Sequence, residues 1–209
     1  MTYLKLLLVT ACICFTICSS AQNFEMSMLK EINEDRSAFK DGFFKFTSKS
    51  VHYVNVAAPL TVLTAGLIKH DKQMQRDALF MIGGFAVSSI VTQTLKNTIK
   101  KNRPYVQYSF IEKRDAGGGY SFPSGHTSAA FCSATSLSLL YPKWYVIVPC
   151  YTWASCAAYG RMYEGVHYPS DVPAGAIVGA GSAWLSYKVE KWYSKKYNRK
   201  NNTAVSFGL

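Results

Sequence analysis

Charge is missing from long parts of this 209-residue sequence. Five stretches of roughly 16 to 21 residues carry almost no charged side chain: 51–68, 78–95, 121–141, 144–160 and 172–187. A surface helix of a soluble protein usually carries charges on its outer face. A span of about 20 residues crosses a bilayer, and the serine, threonine and glycine here suit helix packing in lipid. The pattern favours membrane helices over the alternative, a soluble bundle of large buried helices.

Acidic residues are scarce, and 12 Asp and Glu against 23 Lys and Arg give a formal net charge of +11. This surplus fits an anionic substrate or anionic lipid headgroups. Because no basic helix or aromatic–basic platform accompanies it, nucleic acid is not expected as a partner. Cys132, Cys150 and Cys156 lie in apolar stretches without the close spacing of metal ligands, and we expect them to be small buried hydrophobes.

The N-terminus resembles a bacterial signal peptide. A short basic start is followed by an apolar run and small residues, with a plausible cleavage point after Ala21. Residues 1–21 are therefore predicted as a signal peptide or, if uncut, as a first short membrane anchor. Residues 22–50 form a predicted amphipathic segment, on the membrane surface or covering the bundle. Its apolar residues recur at helical spacing: Phe24, Met28, Ile32, Phe39, Phe43 and Phe46.

The rest of the chain is predicted as one core, residues 51–190, followed by a basic cytoplasmic tail, 191–209. From an exported N-terminus, the helices place 96–122 and 161–171 outside. The basic tail then lies inside, as the positive-inside rule favours, whereas the basic loop 96–122 breaks that rule. A functional need for cations would explain the exception. The predicted fold is all-α: a membrane helical bundle of about five to six transmembrane helices with the catalytic motifs at their external ends.

Two cations lie near the start of that external loop. Lys96 and Arg103 are seven positions apart, so on a continuous helix they share one face. Pro104 disfavours helix at the residue before it, and we expect the helix to end near Arg103. Together the two side chains could clamp a phosphate dianion. Alternatively, they terminate a helix and interact favourably with its dipole.

A helix start follows Pro123, where Ser124, Gly125 and His126 stand side by side. Free backbone N–H groups and the helix dipole suit an anion at such a position. A histidine there can transfer a proton to whatever the anion is attached to. Taken alone, Ser124 is better interpreted as a plain N-cap.

A third group comprises Arg161, His167 and Asp171. A carboxylate four residues after a histidine can accept its ring N–H, which leaves the other nitrogen free as a nucleophile. Asp171 can also cap the following helix. The three groups bring together three cations, two histidines and one carboxylate, with no acidic cluster suited to a metal. This combination indicates phosphoryl transfer: cations hold the phosphate, one histidine attacks and the other protonates the leaving oxygen.

These motifs resemble the three-part signature of the type 2 phosphatidic acid phosphatase superfamily. They read Lys96-x6-Arg103-Pro104, Pro123-Ser-Gly-His126 and Arg161-x5-His167-x3-Asp171. The family includes membrane lipid phosphatases, soluble bacterial class A acid phosphatases and vanadium haloperoxidases. One position departs from it, because Gly160 stands where serine is usual. We expect this to alter positioning or substrate preference without loss of the chemistry.

The resemblance implies a role for each matching residue. His167 is implied as the nucleophile that forms a phosphohistidine, Asp171 as its orienting partner, and His126 as the general acid. No metal and no cofactor are implied. The implied phosphate ligands are Lys96, Arg103 and Arg161, together with the Ser124 hydroxyl and the Gly125 amide.

The expected function is a metal-independent phosphatase acting on phosphate esters of membrane lipids. Candidate substrates are an isoprenoid diphosphate, phosphatidylglycerophosphate, phosphatidate or a lipid A phosphate. The expected location is the bacterial cytoplasmic membrane, with the site facing the periplasm or exterior. The alternative is a soluble periplasmic class A-like non-specific acid phosphatase. No oligomeric state is indicated. Gly117–Gly119 are expected to form a mobile flap, His70 to be solvated, and His52 to be packed or interfacial.

Overall fold

A computed structural model describes residues 24–206, with side chains to residue 196. The predicted signal peptide or anchor lies outside these residues. The described chain is helical and contains no strand, so the all-α prediction is confirmed. The helices are α1 (24–34), α2 (Ala38–Ile68), α3 (Lys72–Ile99), α4 (Pro104–Gln107), α5 (Gly125–Leu140), α6 (Trp144–Tyr163) and α7 (Asp171–Ser206).

Side-chain capping determines where the first two long helices begin. Ser37 is the N-cap of α2 and accepts from the Lys40 amide at 3.2 Å. The segment predicted as one amphipathic helix therefore divides at residues 35–37, and its second half is the beginning of α2. Asp71 caps α3 in the same way and accepts from the Gln73 amide at 2.8 Å.

The end of α3 differs from the prediction. The helix stops at Ile99 because Lys100 takes a left-handed conformation with φ 53°, a common way to end a helix. Arg103 lies beyond it and precedes α4, where Pro104 occupies the first helical position. Lys96 and Arg103 are thus not on one helix face. They approach the site from different backbone segments.

Helix α5 lies at the centre of the bundle, in contact with α2, α3, α6 and α7. Small residues make this possible, because its buried side chains are mostly Ser, Thr and Ala. Two glycines of α7 allow the closest approach: a Cβ on Gly175 would lie 2.5 Å from the Ser124 carbonyl oxygen, and one on Gly179 2.0 Å from that of Ser128. The start of α7 is thereby held against the start of α5.

The outer faces of the bundle are apolar. Helix α2 and the segment Lys72–Gln107 are long and apolar enough to cross a membrane, with mean hydropathies of 1.5 and 1.6 in their best windows. Only 28% and 33% of those windows is buried inside the protein. Large side chains such as Leu60, Ile90 and Ile177 point outward, where lipid can cover them.

Candidate active site

The three predicted motifs meet at one end of the bundle. The Ser124 amide at the start of α5 donates to the Asp171 carbonyl at the start of α7, at 3.0 Å. Arg103 Nη1 lies 3.3 Å from His167 Nε2. Lys96 Nζ donates to the Tyr120 carbonyl at 2.6 Å, which ties the end of α3 to the segment before Ser124. The sequence therefore identified residues that the fold brings together.

His167 and Asp171 form a fully buried pair. His167 Nδ1 lies 3.4 Å from Asp171 Oδ2, and the two residues are 1% and 0% exposed. The same carboxylate oxygen accepts from the Ser121 hydroxyl and from the Tyr168 amide at 2.9 Å. Lys101 Nζ lies 3.2 Å from the other oxygen, Oδ1. The carboxylate is thus fixed from several sides and can orient the imidazole.

Arg103 determines which ring nitrogen of His167 carries the proton. A guanidinium only donates hydrogen bonds, so Nε2, which faces Arg103 Nη1, is the unprotonated nitrogen. Nδ1 then carries the hydrogen and donates to Asp171. Burial lowers the pKa of His167 to about 3, so the ring is neutral. Burial acts to raise the pKa of Asp171, but hydrogen bonds and charges from His167, Lys101 and Ser121 hold it below its ordinary value.

Arg103 also fastens the glycine run. Its guanidinium donates to the carbonyls of Gly118 at 2.8 Å and Gly119 at 3.0 Å, and to that of Val166 at 2.9 Å. Gly119 has φ 67°, a conformation that favours glycine. The Gly117 carbonyl accepts from the Tyr105 hydroxyl at 2.7 Å. The segment expected to be a mobile flap is therefore tied to the residue expected to bind phosphate.

Arg161 is buried beside two carboxylates. Its Nη1 lies 2.6 Å from Asp115 Oδ2 and 2.8 Å from Glu164 Oε2, and the residue is 1% exposed. Its Nε is buried without a hydrogen-bond partner among the described residues. Burial raises the pKa of Glu164 to about 7, against the opposing effect of the Arg161 charge. Arg161 is thus held in place by two carboxylates, and its Nε has no protein partner among the described residues.

Gly160 makes room for a hydroxyl from another helix. A Cβ on Gly160 would lie 3.1 Å from Ser48 Oγ and 3.4 Å from Phe44 Cβ. Ser48, on α2, is buried and donates to Glu164 Oε2 at 3.0 Å. At the one position where the motif departs from the family pattern, α2 supplies a hydroxyl that bonds to Glu164, the carboxylate partner of Arg161.

Ser124 is the N-cap of α5, and its hydroxyl oxygen accepts from the Thr127 amide at 3.4 Å and from the Thr127 hydroxyl at 2.9 Å. The plain capping role is thus observed, with the hydroxyl hydrogen left over for another acceptor. Lys96, Gly125 and His126 line a cleft of about 240 Å³ between α2, α3 and α5. His52 lies in the same cleft, and its ring centroid is 4.8 Å from that of His126. The sequence analysis did not assign His52 to the site.

Sequence reasoning missed several further residues of this site. Most of their partners lie in distant segments of the chain, although Glu164 is three residues from Arg161, and Ser48 and His52 share one face of α2. The missed residues are Ser48, His52, Lys101, Asp115, Ser121 and Glu164. Among the residues that the structure describes, no group of three or more His, Cys, Asp or Glu side chains is placed to hold a metal ion.

The chain resembles known proteins in sequence. A sequence model of the PAP2 superfamily matches residues 77–195. The chain is 38% identical to a lipid A 4′-phosphatase of Bacteroides thetaiotaomicron over 84 residues, which are 40% of this chain and 37% of that protein. It is 29% identical to an undecaprenyl-diphosphatase of Sulfolobus acidocaldarius over 170 residues, 80% of this chain and 79% of that protein. The chain thus spans well under half of the first relative and most of the second.

A solved structure has the same fold. A transmembrane PAP2-type phosphatidylglycerolphosphate phosphatase from Bacillus subtilis superposes with a TM-score of 0.69, covering 82% of this chain and 87% of that one at 20% sequence identity. At this identity the likeness concerns the fold. Together with the apolar outer faces, it confirms the prediction of an all-α membrane helical bundle.

Proposed function

The chain belongs to the PAP2 superfamily, and on that premise we propose that it hydrolyses a phosphate ester of a membrane lipid through a phosphohistidine on His167. Phosphate-ester hydrolysis is the activity of the relatives that it matches. The observation that carries the proposed mechanism is the tautomer of His167. Its Nε2 is unprotonated and lies against Arg103 Nη1, and its Nδ1 donates to Asp171.

The reaction has two steps. In the first, the Nε2–P bond forms while the bond from phosphorus to the leaving oxygen breaks, and His126 gives that oxygen a proton. The charge that develops on the imidazole is stabilised by Asp171. In the second, water attacks phosphorus, the N–P bond breaks, and His126 takes the proton from the water. The residues can carry both steps without a metal ion.

The cations hold the phosphate during both steps. Arg161 has an unused buried Nε, and Lys96 lies beside Gly125 at the start of α5, where amide groups are free. Fixed cations and amides aimed at the phosphate oxygens stabilise the charge of the transition state without reorganisation. Arg103 uses most of its donors on carbonyls, so its main work is to position His167 next to the phosphate.

A lipid substrate is supported by the surroundings of the site. The cleft that Lys96 and His126 line lies between α2, α3 and α5, and the segments of α2 and α3 are long and apolar enough to cross a membrane, so a lipid phosphate can approach from the membrane. The relatives named above act on lipid A and on undecaprenyl diphosphate. We place the enzyme in the bacterial cytoplasmic membrane with the site facing the exterior or periplasm. Release by osmotic shock without detergent would contradict this location.

The decisive experiment measures phosphate release from a lipid panel by detergent-purified protein in the presence of a chelator. The panel comprises undecaprenyl diphosphate, phosphatidylglycerophosphate, phosphatidate and lipid A. His167→Ala should abolish release and the alkali-stable label that a ³²P-substrate leaves on the protein. His70→Asn is a matched control, because His70 is exposed with φ 53°, which asparagine tolerates. Full activity of His167→Ala would refute the mechanism.

The role of His126 as general acid can be tested by changing the leaving group of the substrate. His126→Ala should lose activity strongly with an alkyl phosphate, whose leaving oxygen needs a proton. It should lose much less with p-nitrophenyl phosphate, whose leaving group is stable as an anion. Equal losses with both substrates would show that His126 is not the acid of the first step.

A further inference from the structure

A second basic cavity lies next to the phosphate site. It has a volume of about 260 Å³ and is formed by the α1–α2 linker, the first turns of α2, the loop after α4 and the end of α6. Three of its lining residues are cations from different segments of the chain. They are therefore not close together merely because they share one helix face. The lining residues are Arg36, Asp41, Lys45, Arg114, Tyr163 and Glu164.

Three cations line this cavity against two carboxylates, and Glu112, which does not line it, also pairs with Arg114. Asp41 is shared by two guanidiniums, lying 2.6 Å from Arg36 Nη2 and 3.7 Å from Arg114 Nη1. The carboxylate of Glu164 is already bonded to Arg161. Lys45 is exposed, and no carboxylate is within ion-pair distance of it in the part of the chain whose side chains are described. The cavity therefore attracts an anion.

Arg36 is held in a fixed position with an unused donor. Its guanidinium carbon lies 4.1 Å from the centroid of the Tyr163 ring, and Nη1 donates to the Tyr163 carbonyl at 3.0 Å. Its Nε is buried with no hydrogen-bond partner among the described residues. A planar, preorganised guanidinium suits the oxygens of a phosphate group.

The cavity shares a wall with the catalytic phosphate site. Arg114 lines the cavity, and the next residue, Asp115, pairs with Arg161. The Arg114 amide donates to the Glu164 carbonyl at 3.0 Å, and Glu164 Oε2 accepts from Arg161. An anion in the cavity would thus lie beside the phosphate that undergoes hydrolysis.

The position of α2 places the cavity at the level of lipid headgroups. On the first turns of this helix Phe39 is 78% and Phe46 is 71% exposed, and phenylalanines opposite a charged face suit a helix at the membrane interface. The face that carries Asp41 and Lys45 is turned toward the cavity. Phosphate groups of lipids are abundant at this depth.

We propose that this cavity is a second anion site that binds a phosphate-type group next to the scissile phosphate. The proposal rests on the proposed function and adds a specificity element to it. The phosphate-type group is a second phosphate of the substrate lipid, the headgroup phosphate of an adjacent anionic lipid, or free inorganic phosphate. Lys45 is the specificity residue that can be changed with least effect on the fold, because it is exposed and has no ion pair to break.

The test compares Lys45→Gln with Lys49→Gln in neutral-detergent micelles. Lys49 is also exposed, lies one turn further along α2 and does not line the cavity, so it controls for loss of charge. Three quantities are measured: the kcat/KM ratio of bisphosphorylated to monophosphoryl lipid A, activation of phosphatidate hydrolysis by phosphatidylglycerol, and the inhibition constant of inorganic phosphate. Removing one interfacial cation should reduce at least one of these effects about fivefold.

The affected quantity identifies the source of the anion. A reduced lipid A ratio indicates a second phosphate on the substrate, reduced activation indicates an adjacent lipid, and weaker inhibition indicates free phosphate. If Lys45→Gln matches the parent protein in all three, or if Lys49→Gln changes them equally, the second site is refuted. Failure of the proposed function looks different, because the parent protein would then release no phosphate from any of these lipids.

Discussion

Ser48 and Gly160 can be tested as a pair, by moving the hydroxyl from α2 to α6. Ser48 Oγ lies 3.0 Å from Glu164 Oε2, and a Cβ on Gly160 would lie 3.1 Å from the same Oγ. A serine at position 160 and one at position 48 therefore compete for one space. We expect each single change to be harmful and the combined change, Ser48→Ala with Gly160→Ser, to restore much of the loss.

The magnitudes follow from the contacts. At pH 8 Glu164 is largely ionised, since its pKa is about 7, and a hydrogen bond to a buried charged group is worth about 1.5–3 kcal/mol. If this free energy is transmitted through Glu164 to Arg161, Ser48→Ala lowers kcat/KM about 10- to 100-fold. Gly160→Ala forces a methyl group against Ser48 and Phe44, an overpacking that costs about 1–3 kcal/mol of stability.

The assay is lipid phosphate release at pH 8, with thermal unfolding of each variant in the same detergent. Recovery of kcat/KM in the double variant to within about threefold of the parent would support the exchange of hydroxyls. Additive losses in the double variant would refute it. So would a Gly160→Ala protein with unchanged stability and activity, because the space would then not be contested.

Three other changes test the charges around the site. Since burial raises the pKa of Glu164 from 4.5 to about 7, its carboxylate destabilises the fold as pH rises through this range. The free energy of unfolding of Glu164→Gln should equal that of the parent protein near pH 4 and exceed it by up to about 3 kcal/mol above pH 7. Thermal unfolding measures this difference, and a variant less stable than the parent at pH 8 would contradict the burial argument. Asp115→Asn removes a carboxylate that competes with phosphate for Arg161, so inhibition by inorganic phosphate should strengthen about fivefold. Weaker inhibition would show that Asp115 instead holds Arg161 in the position that binds phosphate. Ser121→Ala removes a donor to Asp171, so kcat should fall about tenfold with KM unchanged, and an altered KM alone would argue against an orienting role.

The residues of the site were predictable because their chemistry is local in the sequence. His167 and Asp171 are four residues apart, and this spacing alone allows the ring and the carboxylate to meet. The start of α5 could be located from Pro123 and the capping hydroxyl of Ser124. The apolar stretches likewise predicted the bundle, since the distribution of charge constrains which helices can face lipid.

The contacts of the cations were not predictable, because backbone carbonyls leave no trace in a sequence. Arg103 binds Gly118, Gly119 and Val166 through their carbonyls, and nothing in the residue types of these partners indicates it. The end of α3 was misplaced for a related reason. A lysine in a left-handed conformation at position 100 is a feature of tertiary packing, since lysine has no intrinsic preference for it.

The polar face of α2 was predictable, because the spacing of its polar residues is visible in the sequence. Asp41, Lys45, Ser48, His52 and Asn55 are spaced by four, three, four and three residues, which places them on one helix face. The amphipathic prediction for this region rested on its phenylalanines, which lie largely on the exposed side. Polar residues in a membrane helix usually face the bundle interior or a cavity, so the stripe predicts that α2 lines the site. In the structure it does so along its first half, from the second basic cavity through Ser48 to His52 and Asn55 in the cleft beside His126. Helix α2 is therefore a wall of the candidate active site, and its variants should change substrate preference before they change stability.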